Sequence, residues 1–182
     1  MKRILFSAAA LMCLTGCSSG GLVHDKAYLR AAAVSEGTET RLTLAFFSEE
    51  DETVTVSGGS IDEAVSEAEL RVGKPLFTGF AEMVILDENS SGSAEIMEHM
   101  LKEWKVSPEC IIACSKGGMA LLENESAERL SGSVKEAVRQ GRSPDSGLVN
   151  VLGKLLRDGE AEVAELSGSG ADGAATIKKH RS

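Results

Sequence analysis

The sequence predicts an α+β fold with α/β character, a single domain in which a mixed sheet of about five to six strands packs with helices. Three observations predict it. Residues 40–47 alternate, with Leu42, Leu44 and Phe46 set against Arg41, Thr43 and Ala45, the period of a half-buried strand. Met83–Leu86 is an unbroken apolar run, as expected of a strand covered on both faces. Between such segments lie amphipathic stretches with helix start and stop signals, so strands and helices alternate along the chain.

Residues 27–34 and 40–47 read as the first two strands, and "ETVTVSG" continues the alternation through Val54 and Val56. The acidic run Glu49–Glu52 before it reads as a solvated hairpin loop. Ser60 and Glu63 form an S-x-x-E capping box opening a helix whose apolar stripe is Ile61, Ala64, Val65, Ala68 and Val72. Gly73 and Pro75 close it. Ser93 is expected to cap the next helix, which carries Ile96, Met97, Met100, Leu101 and Trp104 and is broken at Pro108. "CIIACS" is the next strand. Helical pieces follow at Gly118–Glu123, Ser126–Gln140 and Gly147–Arg157, then a strand, "EAEVAEL", marked by Val163 and Leu166. "SGSGADG", residues 167–173, has a linker's composition, and "AATIKKHRS" resembles the start of a further strand.

The first residues read as an export signal. Lys2 and Arg3 form a basic start, and Ile4–Leu14 is an apolar stretch of about 11 residues, too short for the roughly 20 of a spanning helix. Leu14, Thr15, Gly16 and Cys17 then match a bacterial lipobox, in which the cysteine sulfur takes a diacylglyceryl group and the chain is cut just before it. Each buried CH₂ adds about 0.8 kcal/mol, so two or three acyl chains hold a protein on a bilayer. Residues 1–16 are thus expected to be the signal peptide and 17–26 the lipidated tether. Removing Lys2 and Arg3 takes the formal charge from −9 to −11. An acidic head argues against nucleic acid and against electrostatic adhesion to anionic lipid. Membrane attachment then falls to the lipid on Cys17, the one covalent group expected.

Organised chemistry is hard to find. Cys110 and Cys114, on one strand, would lie about 13 Å apart, beyond the roughly 7 Å between Cα atoms that a disulfide allows. They read as small buried hydrophobes rather than a redox or metal pair. His24, His99 and His180 are scattered and build no metal ligand set. Gly168, Gly170 and Gly173 spell G-x-G-x-x-G, but too little chain follows for a dinucleotide-binding unit. "GLVNVLGK" misses phosphate-loop spacing. Asp87 and Glu88 are neighbours on a strand and point to opposite faces, so shared acid–base work is not expected of them. The sequence therefore predicts a protein that is not an enzyme and carries no cofactor.

The stretch from Thr53 to Glu88 resembles the C-subunit lipoproteins of spore germinant receptors, the Ger(x)C family. The resemblance lies in Gly59, Ser60, Ile61, Glu63 and Ala64, then Lys74, Leu76, Phe77 and Gly79, then the apolar strand Met83–Asp87, and finally the turn Lys116–Ala120. "GAATIKKHRS" is similar to the first strand of that family's second domain. The chain departs from the family in Ser18 and Ser19 after the cysteine, in Lys105–Pro108 after the second helix, and in being about half as long. The resemblance makes residues 27–166 a Ger(x)C-like N-terminal domain and 167–182 a linker with the truncated start of a second domain.

The resemblance implies a non-enzymatic, membrane-anchored subunit of a nutrient-germinant receptor, on the outer face of the cytoplasmic (spore inner) membrane beside polytopic receptor subunits. Lys74, Phe77 and Gly79, in the loop Gly73–Gly79, are the candidate partner surface, with the acidic run Glu49–Glu52 as a second candidate. The alternative is a solute-binding or other cell-envelope lipoprotein. A solute binder usually needs two lobes around a cleft, and the 166 residues left after residues 1–16 are few for that.

Overall fold

A computed structural model describes residues 25–48, 52–88, 90 and 92–179. The lipobox with Cys17, the tether up to residue 24, His24, His180 and residues 49–51 of the acidic run lie outside the described residues. The strands are β1 (Ala27–Glu36), β2 (Thr40–Phe46), β3 (Thr53–Gly58), β4 (Leu76–Phe77), β5 (Met83–Asp87), β6 (Ile111–Ser115), β7 (Glu160–Ser167) and β8 (Gly170–Lys178). The helices are α1 (Ile61–Val72), α2 (Ser93–His99, continued by a π-helical turn over Met100–Trp104), α3 (Gly118–Asn124), α4 (Ala127–Arg139) and α5 (Leu148–Asp158).

The strands form one mixed sheet of eight in the order β3-β2-β1-β5-β6-β7-β8, with the short β4 also on β1. β1, β5, β6 and β7 run parallel, and antiparallel pairs flank them at β1–β2–β3 and β7–β8. The parallel centre is covered on both faces, as parallel strands require. One face packs Ala32, Val34, Leu44, Val84, Leu86 and Ile112 against α1, α2 and α5. The other packs Ala31, Ala33, Met83, Ile85 and Ala113 against Leu122 of α3 and Leu130 and Val134 of α4. The alternation of the sequence is thus a sorting between two apolar layers at the centre.

Local signals fold as their chemistry directs. Ser60 Oγ accepts from the Glu63 amide at 3.2 Å, and the Glu63 carboxylate accepts from the Gly59 amide at 2.9 Å, so the capping box is made with its return bond one residue early. α1 ends on Gly73 in the left-handed region at φ 71°, where a Cβ would be strained. Gly118 answers a different need. A Cβ there would sit 2.7 Å from Ile85 Cγ2, so the residue lets the start of α3 lie directly on the sheet.

Three local expectations are corrected. Ser93 does not cap α2: Gly92 holds that place without a side-chain bond, and Ser93 Oγ donates to the Ser90 carbonyl instead. Pro108 does not break the helix. Lys105, in the left-handed region at φ 54°, ends the π-helical turn, and the Val106 amide returns to the Met100 carbonyl. Residues 167–173 are not extended linker. Ser167 pairs with Gly170, and β8 returns along β7 up to Glu160 and Lys178. The glycines that imitate a linker by composition supply the positive φ of the return, at Gly170 (113°) and Gly173 (120°).

Leu44 is fully buried in the layer beneath α1. Leu44→Ala should lower unfolding free energy by about 2–5 kcal/mol, and Gly118→Ala by about 1–3 kcal/mol through overpacking. Urea unfolding followed by circular dichroism measures both, and an unchanged midpoint for Gly118→Ala would contradict the close approach of α3.

Candidate functional site

The end of the sheet where the parallel strands begin collects Tyr28, Phe47, Phe77 and Phe80. β4 pairs with the start of β1, with Ala27 opposite Leu76 and Tyr28 opposite Phe77. The Phe47 amide, just past β2, donates to the Tyr28 carbonyl at 2.9 Å. The rings of Tyr28, Phe77 and Phe80 meet with centroids 5.4 Å (Tyr28–Phe77), 5.8 Å (Tyr28–Phe80) and 4.9 Å (Phe77–Phe80) apart, spacings favourable for aromatic pairs. Lys26 Nζ stands 5.4 Å from the Phe77 ring centre, and the Arg30 guanidinium 4.7 Å from that of Phe47. Phe80 is 59% exposed and Phe47 42%, although both are large and apolar.

The loop carrying Phe77 and Phe80 is held from three sides. The Ala27 amide donates to the Pro75 carbonyl (2.9 Å), the Leu76 amide to the Glu69 carboxylate (2.8 Å), and Thr78 Oγ1 to the Trp104 carbonyl (2.8 Å). Gly79 leaves room for the Phe77 ring, since a Cβ would approach it to 3.2 Å. Arg30 is anchored behind Phe47. Its side chain is only 16% exposed, with Glu128 at 3.1 Å and Glu82 at 3.9 Å. Glu82 also accepts from Ser131 Oγ at 3.1 Å. The buried Arg30 Nε makes no hydrogen bond, so its compensation is electrostatic.

The structure separates the three loop residues the sequence grouped. Phe77 and Gly79 belong to this aromatic end. Lys74 is exposed and lines an open groove of about 540 Å³ with Ser66, Glu69, Leu70, Gly73 and Pro75. Tyr28, Phe47, Phe80 and Arg30 were not singled out from the sequence. Each is ordinary alone, and only the exposure of Phe47 and Phe80 marks them.

The opposite end, where the parallel strands finish, is polar. Ser35 Oγ donates to Asp87 at 3.5 Å, and Glu36 accepts from Ser90 Oγ at 3.3 Å and the Gly92 amide at 3.0 Å. Lys116 and Glu88 form a loose surface pair at 4.0 Å. Ligands of open α/β sheets commonly bind at such an end. Here a cavity of about 440 Å³ lies between Ser115–Gly117 and the β7–β8 turn. His99 approaches Asp62 at 3.2 Å and turns an edge to Trp104. Among the described residues, no group of three or more His, Cys, Asp or Glu could hold a metal ion, and no helix is long and apolar enough to cross a membrane.

Cys110 and Cys114 are free and buried. Burial, helped by Glu82, pushes the Cys110 thiol up to about 12. Burial, helped by Glu88 and Asp87, pushes Cys114 to about 12 as well. Both are therefore protonated at neutral pH and poor nucleophiles.

A family model of the spore germination protein N-terminal domain matches residues 23–166. The chain belongs to this family. The match covers most of the chain and ends within β7, before β8. No curated protein and no solved structure matches it. The spore germination domain therefore consists of the parallel centre with its β2–β3 flank and all five helices, and its role lies in spore germination. The Gly59–Ala64 helix start, Leu76–Gly79 and the Lys116–Ala120 turn that carried the resemblance fall on the start of α1, the aromatic end and the start of α3, with Lys74 in the separate groove.

With Cys17 replaced by Ser in a chain beginning at residue 17, Ellman's reagent at pH 8 should find no fast thiol in the folded domain and two after unfolding. Because the folded domain keeps both thiols protonated, their contribution to stability is present below about pH 9 and lost as pH rises towards 12. Denaturation midpoints between pH 8 and 11 measure that fall.

Proposed function

We propose that this germination domain is the head of a non-enzymatic lipoprotein subunit of a nutrient-germinant receptor. It is anchored through diacylglyceryl-Cys17 to the outer face of the spore inner membrane and works by contact with polytopic receptor subunits. The observation that carries the reading is the family match over residues 23–166, which begins six residues after the lipobox cysteine. A head tied to the bilayer searches for membrane partners in two dimensions, which raises its effective concentration and lets a modest interface suffice. The protonated, buried thiols suit a head that acts by contact. On this reading Lys74, beside the 78%-exposed Leu70 on α1, belongs to the surface that meets the polytopic partner.

Metabolic labelling with an alkyne fatty acid tests the anchor. Label should appear on the wild-type chain and vanish in Cys17→Ala, and the chain should move from the membrane fraction to the soluble one. Spores carrying Cys17→Ala should lose most of their response to the receptor's nutrient while still germinating with a non-nutrient trigger. An unlabelled wild-type chain, or an undiminished nutrient response, would overturn the reading. Leu70→Asp with Lys74→Glu should weaken co-purification of the polytopic subunits at least several-fold.

A further inference from the structure

The aromatic end of the sheet is open to solvent on the side from which the tether leaves. Lys26, the residue before β1, already stands over the Phe77 ring. Nine residue steps separate it from Cys17, so even a fully extended tether spans at most about 30 Å. Phe80 and Phe47 are the exposed rings of this end, and Phe77 and Tyr28 are half-buried behind Phe80. Resting on the anchor proposed above, we infer that this end is a bilayer-docking surface. Phe80 and Phe47 enter the interfacial layer of the membrane that holds Cys17, with Lys26 at headgroup level.

The placement and chemistry of the rings favour a lipid surface. The rings sit on the part of the head nearest the tether. Aromatic side chains suit the membrane interface, where an apolar ring can lie against acyl chains below a hydrated surface. Arg30 is held back behind Phe47 by Glu82 and Glu128, so the apolar rings and not its charge meet the interface. The acidic chain has no net attraction to anionic lipid, so docking must come from apolar insertion. Two rings would bind a bilayer only weakly from solution. Held by a short tether they need only orient a head that is already there.

Orientation is the consequence. With the strand starts against the membrane, the polar end at Glu36, Asp87 and Lys116 points away, about 25 Å further along the sheet at the rise of a strand. The Lys74 and Leu70 groove stays close to the bilayer, within reach of integral partners.

The test uses the chain from residue 17 to 182, coupled through Cys17 to vesicles of phosphatidylethanolamine and phosphatidylglycerol bearing a maleimide lipid. The coupling replaces the biological acyl chains, so docking is measured whether or not Cys17 is lipidated in the cell, and the fatty-acid label reports that separately. Phe80→Trp and Phe47→Trp serve as reporters, and Lys116→Trp at the far end is the control. The signal of the chain with Trp104 alone is subtracted. Brominated lipid should quench the Phe80→Trp and Phe47→Trp emission at least two-fold and leave Lys116→Trp unchanged. Equal quenching at all three positions, or none at the first two, overturns the inference. So does protection of the Phe80→Trp and Phe47→Trp reporters only after the polytopic subunits are added, which would give the surface to a protein.

Discussion

β1 is the constraint on which the other elements depend. It shares its backbone bonds with β2 along one edge and with β4 and then β5 along the other. Its core residues, from Leu29 to Val34 apart from Arg30, are almost wholly removed from water. A backbone so desolvated must have its polar groups paired, because each unpaired one would cost free energy comparable to a lost hydrogen bond. That demand fixes the strand's neighbours on both sides at once. The three alanines Ala31–Ala33 then set how closely helices can approach, and the Cβ of Ala33 lies 3.8 Å from where a Cβ on Gly118 would be.

The sheet built on β1 has two unlike ends. At the start, the β1–β2 register shift near Leu29 coincides with the one strongly amphiphilic side chain in the strand, Arg30. Its charge is drawn back to Glu82 and Glu128 while its flat face supports Phe47. At the finish, carboxylates and serines bond with one another and with loop amides. The crevice that serves ligands in many open sheets is here bordered by a short surface loop and a hairpin. What the aromatic end offers is ring area and shape, with Phe80 and Phe47 left exposed.

Much of the fold was legible because its signals are local. Ser60 and Glu63 announce α1 through hydrogen bonds spanning four residues, and Gly73 ends it through its own φ. The apolar run Met83–Leu86 reads as a strand covered on both faces, and β5 is one. Failures came where a distant partner decided. Ser93 carries a cap's chemistry but finds the Ser90 carbonyl, and the helix after it stops at Lys105, which no sequence rule favours over Pro108. Residues 167–173 are glycine-rich for a turn as for a linker, and the free edge of β7 selects the turn. Phe77 and Gly79 were visible as members of a motif. Tyr28, Phe47 and Phe80 were not, since they lie in separate elements and no spacing relates them.

Alone, the sequence determined the alternation of strands and helices, the burial of Cys110 and Cys114, the family, and an acidic surface, because each is written in nearest neighbours, periodicity or composition. The tertiary structure decided which edges the strands share, that β8 closes back on β7, and that rings from β1, β4 and the loop after β4 meet at one end of the sheet with Lys74 set apart. These depend on contacts between residues far apart in the chain. Pairing of backbone edges and packing of faces choose such contacts, and neither is encoded in any one segment.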